Sequence, residues 1–180
     1  MRADAARNRD RIIEVGRALI REKGIDATSM DEIAKAAGVG AGTLYRHFKT
    51  KDELYEAAML AWAETVGAAV DTALAVEGDD RDRLLAWLES YAGFLTAHKG
   101  AAWRITAAMG DPDSPYAMKC RTYLNANERV RASLPGMRPD VDAMEMVRLV
   151  GGIAAVIDNS ELGPGAVKPL LTVVADGLLA

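Results

Sequence analysis

The stretch Ala34–Lys51, AKAAGVGAGTLYRHFKTK, limits what this chain can fold into more than any other. Leu44 and Phe48 stand four residues apart and so share one helical face. Gly42 and Arg46 fall opposite them, Tyr45 on one flank, Thr43 and His47 on the other. A helix over Ala41–Phe48 therefore has a narrow buried side. Its outward side carries a hydroxyl, a phenol, a guanidinium and an imidazole, all able to donate hydrogen bonds to phosphates or base edges. Upstream, Ser29-Met-Asp-Glu32 is a capping box that opens a helix over Met30–Ala37, with Ile33 and Ala37 on its inner edge. Gly38 fits a left-handed C-terminal cap, and Val39 is the apolar residue that packs back under it. Downstream, Thr50-Lys-Asp-Glu53 is a second capping box, starting another helix at Lys51. Two helices joined by a turn of about four residues containing Gly have helix-turn-helix geometry.

The remaining chain reads as helix after helix. A first helix spans Arg9–Lys23, with Ile12, Val15, Gly16, Ala18 and Leu19 inward, closed by the Gly24-Ile25 cap. Met1–Asn8 reads as a solvated polar tail in which Arg2 and Arg7, with Arg9 and Arg11 just beyond it, could reach phosphates or a minor groove. A fourth helix runs from Lys51 to Val76, lined by Leu54, Ala58, Ala61, Thr65 and Ala69, and carries the N-terminal region into the rest without a flexible linker. Glu77–Arg81 is an acidic break. Helices follow over Arg83–His98, Gly100–Met109, Ser114–Leu134 (opened by Ser114-Pro115), Asp142–Asp158 (capped by Asp142 and Glu145) and Ala166–Leu179. All six prolines lie at or beyond Pro112, and no Val/Ile/Thr-rich alternation supports a strand. The expected fold is all-α, about nine helices. Its domains are 1–55, a three-helix head, and 56–180, a helical body joined to it by the long fourth helix.

Charge is divided in the same way. Residues 1–55 hold 11 Lys/Arg against 9 Asp/Glu, and the remainder 11 against 17. A pI of about 5.3 argues against a general nucleic-acid coat but allows a locally basic head on an acidic body. The single Cys120 excludes an internal disulfide and suits a reducing compartment. The N-terminus lacks the apolar core of a signal peptide, and no apolar run is long enough to span a bilayer. A cytoplasmic protein with no membrane partner is expected.

From Ile12 to Leu54 the chain resembles the TetR family of transcriptional repressors. The resemblance is carried by the amphipathic first helix, Gly24, Ala27-Thr28-Ser29-Met30, Ile33-Ala34, Ala37-Gly38-Val39, Gly42-Thr-Leu-Tyr-Arg-His-Phe48 and Lys51. It implies a DNA-binding head and a helical ligand-sensing and dimerising body. By resemblance, Thr28, Thr43, Tyr45, His47 and Lys51 fall at phosphate contacts, with Thr43 sometimes at a base. Arg46 points outward, and Ala41 and Gly42 lie on the reading face. Ala41 offers at most a contact to a thymine methyl, and Gly40 stands where members commonly have a Ser or Thr cap. Readout by hydrogen bonds is then sparse, and DNA shape contributes more.

The last two helices are apolar almost all round and need covering on nearly every side. A homodimer through a four-helix interface, as in TetR-like proteins, is expected to use Met144, Val147, Val150, Gly151, Ala154, Leu170 and Val174. The two-fold axis would set two reading helices on successive major grooves of a pseudo-palindromic, double-stranded DNA operator. Trp62, Tyr91, Phe94, Trp103, Met109, Met118 and Tyr123 fall on helices that would surround a cavity in a TetR-like body. Arg104, Glu89 and Arg121 are the nearest polar anchors. The implied effector is a small, largely apolar molecule.

Competing chemistry is poorly represented. GVGAGT at Gly38–Thr43 lacks the Lys-Ser/Thr ending of a phosphate loop and follows a helix. Only His47 and His98 could join a metal site, and no zinc spacing or nucleophile motif is present. No enzyme, metal or cofactor is expected. A ligand-responsive dimeric repressor is the leading reading, and a TetR-like sensor or adaptor without specific DNA binding the alternative.

Overall fold

A computed structural model describes residues 2–24, 27–97, 101–114, 116–160 and 164–180. The helices are α1 (Arg2–Lys23), α2 (Met30–Ala36), α3 (Ala41–His47), α4 (Lys51–Leu74), α5 (Asp80–Thr96), α6 (Ala101–Ala107), α7 (Ala117–Ser133), α8 (Ala143–Asp158) and α9 (Val167–Leu178). A 3-10 turn at Pro164–Ala166 precedes α9. Among the described residues there is no strand, only an isolated bridge between Met137 and Leu179. The expected Ile25 cap partner, Pro115 first-turn residue, His98 helix end and Gly100 helix start lie outside the described residues.

The chain divides into two compact units, Met1–Glu64 and Thr65–Ala180, and the division falls inside α4. In the first unit, Ile12 and Ile13 of α1, Ile33 and Ala34 of α2, Leu44 and Phe48 around α3, and Leu54 and Ala58 of α4 form one apolar cluster. A Cβ at Gly16 would lie 3.1 Å from Leu54 Cδ2, so the glycine lets α1 and α4 approach closely. Ala18 is exposed, contrary to expectation. The presumed N-terminal tail is also helical. Arg7 pairs with Asp4, and Arg11 donates to Asn8 Oδ1 at 3.0 Å, both three residues apart, which supports two extra turns of α1.

The caps explain where α2 and α3 lie. Ser29 Oγ accepts the Glu32 N–H at 3.1 Å, and Gly38 takes φ +64. That conformation costs a residue with a Cβ about 1–2 kcal/mol. Thr50 Oγ1 accepts the Glu53 N–H at 3.1 Å. The Glu53 carboxylate returns to the Lys49 N–H at 2.7 Å, one residue before the position expected of a capping box.

In the second unit α8 packs against α5, α6, α7 and α9. A Cβ at Gly151 would lie 2.9 Å from Thr106 Cγ2, so this glycine admits α6 against α8. The acidic break is itself a cap. Asp79 and Asp82 form a reciprocal box that starts α5 at Asp80, three residues earlier than expected. Asp142 and Glu145 do the same for α8, as the sequence indicates. On α4 the buried residues are Leu54, Ala58, Met59, Val66, Val70 and Ala73; Thr65 is exposed. The alanine-marked stripe drifted off the true face because valine burial outweighs alanine spacing.

Candidate nucleic-acid interface and effector-binding body

Helix α3 follows Gly40, whose extended backbone (φ −69, ψ 148) caps it without a side-chain bond. Its inward residue is Leu44, and Phe48 closes it. Arg9 of α1 places its guanidinium 5.6 Å from the centre of the Phe48 ring, so α1 secures the end of α3. With that side fixed, Ala41, Gly42, Tyr45 and Arg46 are exposed and Thr43 and His47 half-buried. Tyr45 is 47% exposed. Arg46 donates to Thr43 Oγ1 at 2.9 Å along the outer face, so these two residues present a paired donor surface.

Tyr45 and Lys51 meet at an open recess of about 400 Å³, lined also by Ala27, Thr28, Ser29, Met30 and Asp31. Lys51 Nζ donates to the Thr28 carbonyl oxygen at 3.2 Å. Thr28 itself is only 2% exposed, and its hydroxyl donates to the Gly24 carbonyl oxygen at 2.8 Å. The side chain expected to meet a phosphate is thus used to tie the turn after α1. Ser29 and Asp31 line the recess without having been expected there; the N-cap position of Ser29 was the available signal. Beside them, the Lys23 ammonium holds the Glu32 carboxyl below its usual range, chiefly through their hydrogen bond.

The residues expected around a body cavity separate into three groups. Tyr91 and Tyr123 are buried, their rings 4.7 Å apart, and Trp87 stacks on Tyr91 at 5.6 Å. Phe94 and Met109 are half-buried, as is Trp62, which belongs to the first unit. Trp103 is 64% exposed and Met118 is exposed, so neither lines an interior. On α6 the buried residues are Ala102 and Ile105, and on α7 they are Tyr123, Ala126, Asn127 and Val130, which turns Trp103 and Met118 outward. Arg104 and Arg121 are exposed, and Glu89 is ion-paired to Lys168 at 2.8 Å. Trp87 is a polar hub, its indole N–H donating to Asn127 Oδ1 at 2.9 Å while Asn127 Nδ2 donates to the Tyr123 carbonyl at 2.9 Å.

The expected dimer residues differ in exposure. Val147, Val150, Gly151 and Ala154 are buried within this one chain against neighbouring helices. Met144 and Val174 are half-buried and Leu170 is exposed. The apolar groups left uncovered are Leu149, Val156 (61% exposed), Leu170 and Val173 (70% exposed). Because α8 is apolar nearly all round, composition did not reveal which side faces inward.

Among the described residues no cluster of His, Cys, Asp or Glu could hold a metal, and no helix is long and apolar enough to cross a membrane.

Residues 12–58 match the family model described as bacterial regulatory proteins, tetR family. An HTH-type transcriptional regulator of Staphylococcus aureus (strain USA300) is 54% identical over 54 residues, 30% of this chain and 29% of that protein, so the match spans under a third of the relative's length. The crystal structure of a TetR transcriptional regulator from Streptomyces coelicolor is similar over 95% of this chain and 98% of its own, at 30% identity and a TM-score of 0.63. AibR, solved in complex with isovaleryl coenzyme A and operator DNA, shares the fold over 96% of this chain and 98% of its own, at 18% identity and a TM-score of 0.63.

Proposed function

The chain belongs to the TetR family of transcriptional regulators, and on that premise we propose that it is a homodimeric repressor, released from a pseudo-palindromic operator by a small, largely apolar effector. The observation that carries the reading is the division of α3. Leu44 is buried, while Thr43, Tyr45, Arg46 and His47 remain wholly or partly accessible beside the recess that Lys51 closes. Tyr45, Lys51 and the pair formed by Arg46 and Thr43 supply phosphate contacts. Thr28 supports them through its backbone carbonyl. Ala41 and Gly42 let the helix approach the groove floor closely, since a Cβ at Gly42 would meet nothing within 4 Å. Base selection then depends on shape and on few hydrogen bonds.

A second copy is proposed to cover Leu149, Val156, Leu170 and Val173, with α8 and α9 of each protomer forming the four-helix interface. Two heads then meet half-sites about 34–36 Å apart. The effector-binding unit is the body, 56–180, and the head is 1–55. As in AibR, whose structure holds both a coenzyme A ester and operator DNA, both ligands bind one protein. Effector and operator then oppose each other by linkage, typically about 5–150-fold in each direction. As a member of a regulator family, the chain is read as a non-enzyme working in the cytoplasm.

In vitro selection of duplexes by the purified protein tests this directly. A recovered two-fold symmetric site, bound by dimers in a gel shift, supports the repressor. Enrichment of no sequence supports instead a sensor or adaptor of the same fold, a reading favoured by the absence of hydrogen-bonding side chains at Ala41 and Gly42.

A further inference from the structure

Among the described residues of the body, one buried donor has no hydrogen-bond partner. The Tyr91 hydroxyl is fully enclosed, in a residue with 0% exposure, and has no hydrogen-bond partner. The other buried side-chain atom without a hydrogen bond among the described residues, Glu89 Oε1, is ion-paired to Lys168 at 2.8 Å. The Trp87 indole is bonded to Asn127, Asn127 to the Tyr123 carbonyl, and the Cys120 thiol donates to the Ile105 carbonyl at 3.2 Å. An orphaned buried hydroxyl loses its water partners without compensation, so it calls for a specific explanation. The Tyr91 ring is stacked on Trp87 at 5.6 Å and tilted against Tyr123 at 4.7 Å, and Cys120 is half-buried.

We propose that the Tyr91 hydroxyl is the polar anchor of the effector site, and that the effector is a neutral, largely apolar molecule presenting one hydrogen-bond acceptor, such as a ketone or ester carbonyl. The proposal rests on the reading that the body binds a small effector, and adds its chemistry. Three observations select it. The phenol stays protonated, because burial strongly opposes its ionisation, so it offers a proton rather than a charge. The titratable groups that act on it are Tyr123 and Cys120, both of which become anions when they ionise, so neither offers an arriving carboxylate a counter-charge. The candidate anchors Arg104 and Arg121 are exposed, and Glu89 is held by Lys168. The stacked Trp87 and Tyr91 rings supply the apolar wall.

The test uses the full chain without DNA and three probes of matched shape: acetophenone, α-methylstyrene and benzoate. Calorimetric titration is expected to give acetophenone a lower Kd than α-methylstyrene by about 2- to 12-fold, the range of one hydrogen bond, and no binding of benzoate. Tyr91→Phe keeps the ring and removes the donor. It is expected to melt no lower than the parent and to bind acetophenone and α-methylstyrene equally. Equal binding to the parent, a ketone preference that survives Tyr91→Phe, tighter binding of benzoate, or binding of none of the three overturns the proposal. A Tyr91→Phe protein that melts clearly lower overturns the orphaned-donor premise. A gel shift of the unliganded parent is run separately. Loss of DNA binding with the ketone preference intact counts against the repressor, and the reverse against the effector site.

Discussion

The Lys51 ammonium reaches back 23 residues to the Thr28 carbonyl oxygen, 3.2 Å away. This contact fastens the first turn of α4 to the turn before α2 and sets a cation beside Tyr45. Lys51→Ala is therefore expected to weaken binding to every duplex sequence alike and to lower the slope of log K against log salt by about one. Fluorescence anisotropy across a KCl series measures both. An unchanged slope removes Lys51 from the phosphate contacts.

The turn between α2 and α3 should respond oppositely at its two glycines. Gly38 holds φ +64, so Gly38→Ala is expected to cost about 1–2 kcal/mol. Gly40 caps α3 in an ordinary extended conformation, so Gly40→Ser should stabilise by a few tenths of a kcal/mol. Urea unfolding of the two variants gives the signs.

For the proposed two-fold interface, Val156→Asp and Val173→Asp should yield folded monomers with weakened operator binding, because both side chains are largely exposed in one chain. Val150→Asp should fail to fold, since it sets a carboxylate where exposure is 0%. Sedimentation together with circular dichroism separates the cases. Dimers persisting in both surface variants would place the interface elsewhere.

Acid stability of the body should carry the signature of Arg81 and Asp176, which join α5 to α9. Hydrogen bonding to the Arg81 guanidinium holds the Asp176 carboxyl below its usual 3.8. A lowered folded-state value adds stability that is complete above 3.8 and is lost as the pH falls through the folded value below it. Asp176→Asn should therefore melt below the parent at neutral pH, by a small margin at this exposed pair, and the gap should close under strong acid. Melting curves from neutrality to strong acid decide it. A gap independent of pH would mean that the charge is not what matters.

The head was legible because its signals are local. Ser29, Gly38, Gly40 and Thr50 act within four residues of themselves, and Leu44 with Phe48 leaves one choice of buried side. The same locality failed at Thr28. Its hydroxyl could serve a phosphate or the Gly24 carbonyl four residues back, and the structure gives it to the carbonyl. Arg7 with Asp4 was readable as helix support, yet polarity made the segment look like a tail.

In the body the chain alone determined where helices start and stop, through boxes such as Asp142 with Glu145, and that α8 and α9 are too apolar to stand alone. Which sides they bury was decided in three dimensions. Gly151 admits Thr106, which draws α6 onto α8 and leaves Leu149 and Val156 outside. In the same unit the Tyr91 hydroxyl is enclosed without a partner and Trp103 is turned out. A helix apolar all round has no preferred face of its own. Burial free energy follows area, not direction, so the neighbours choose the face.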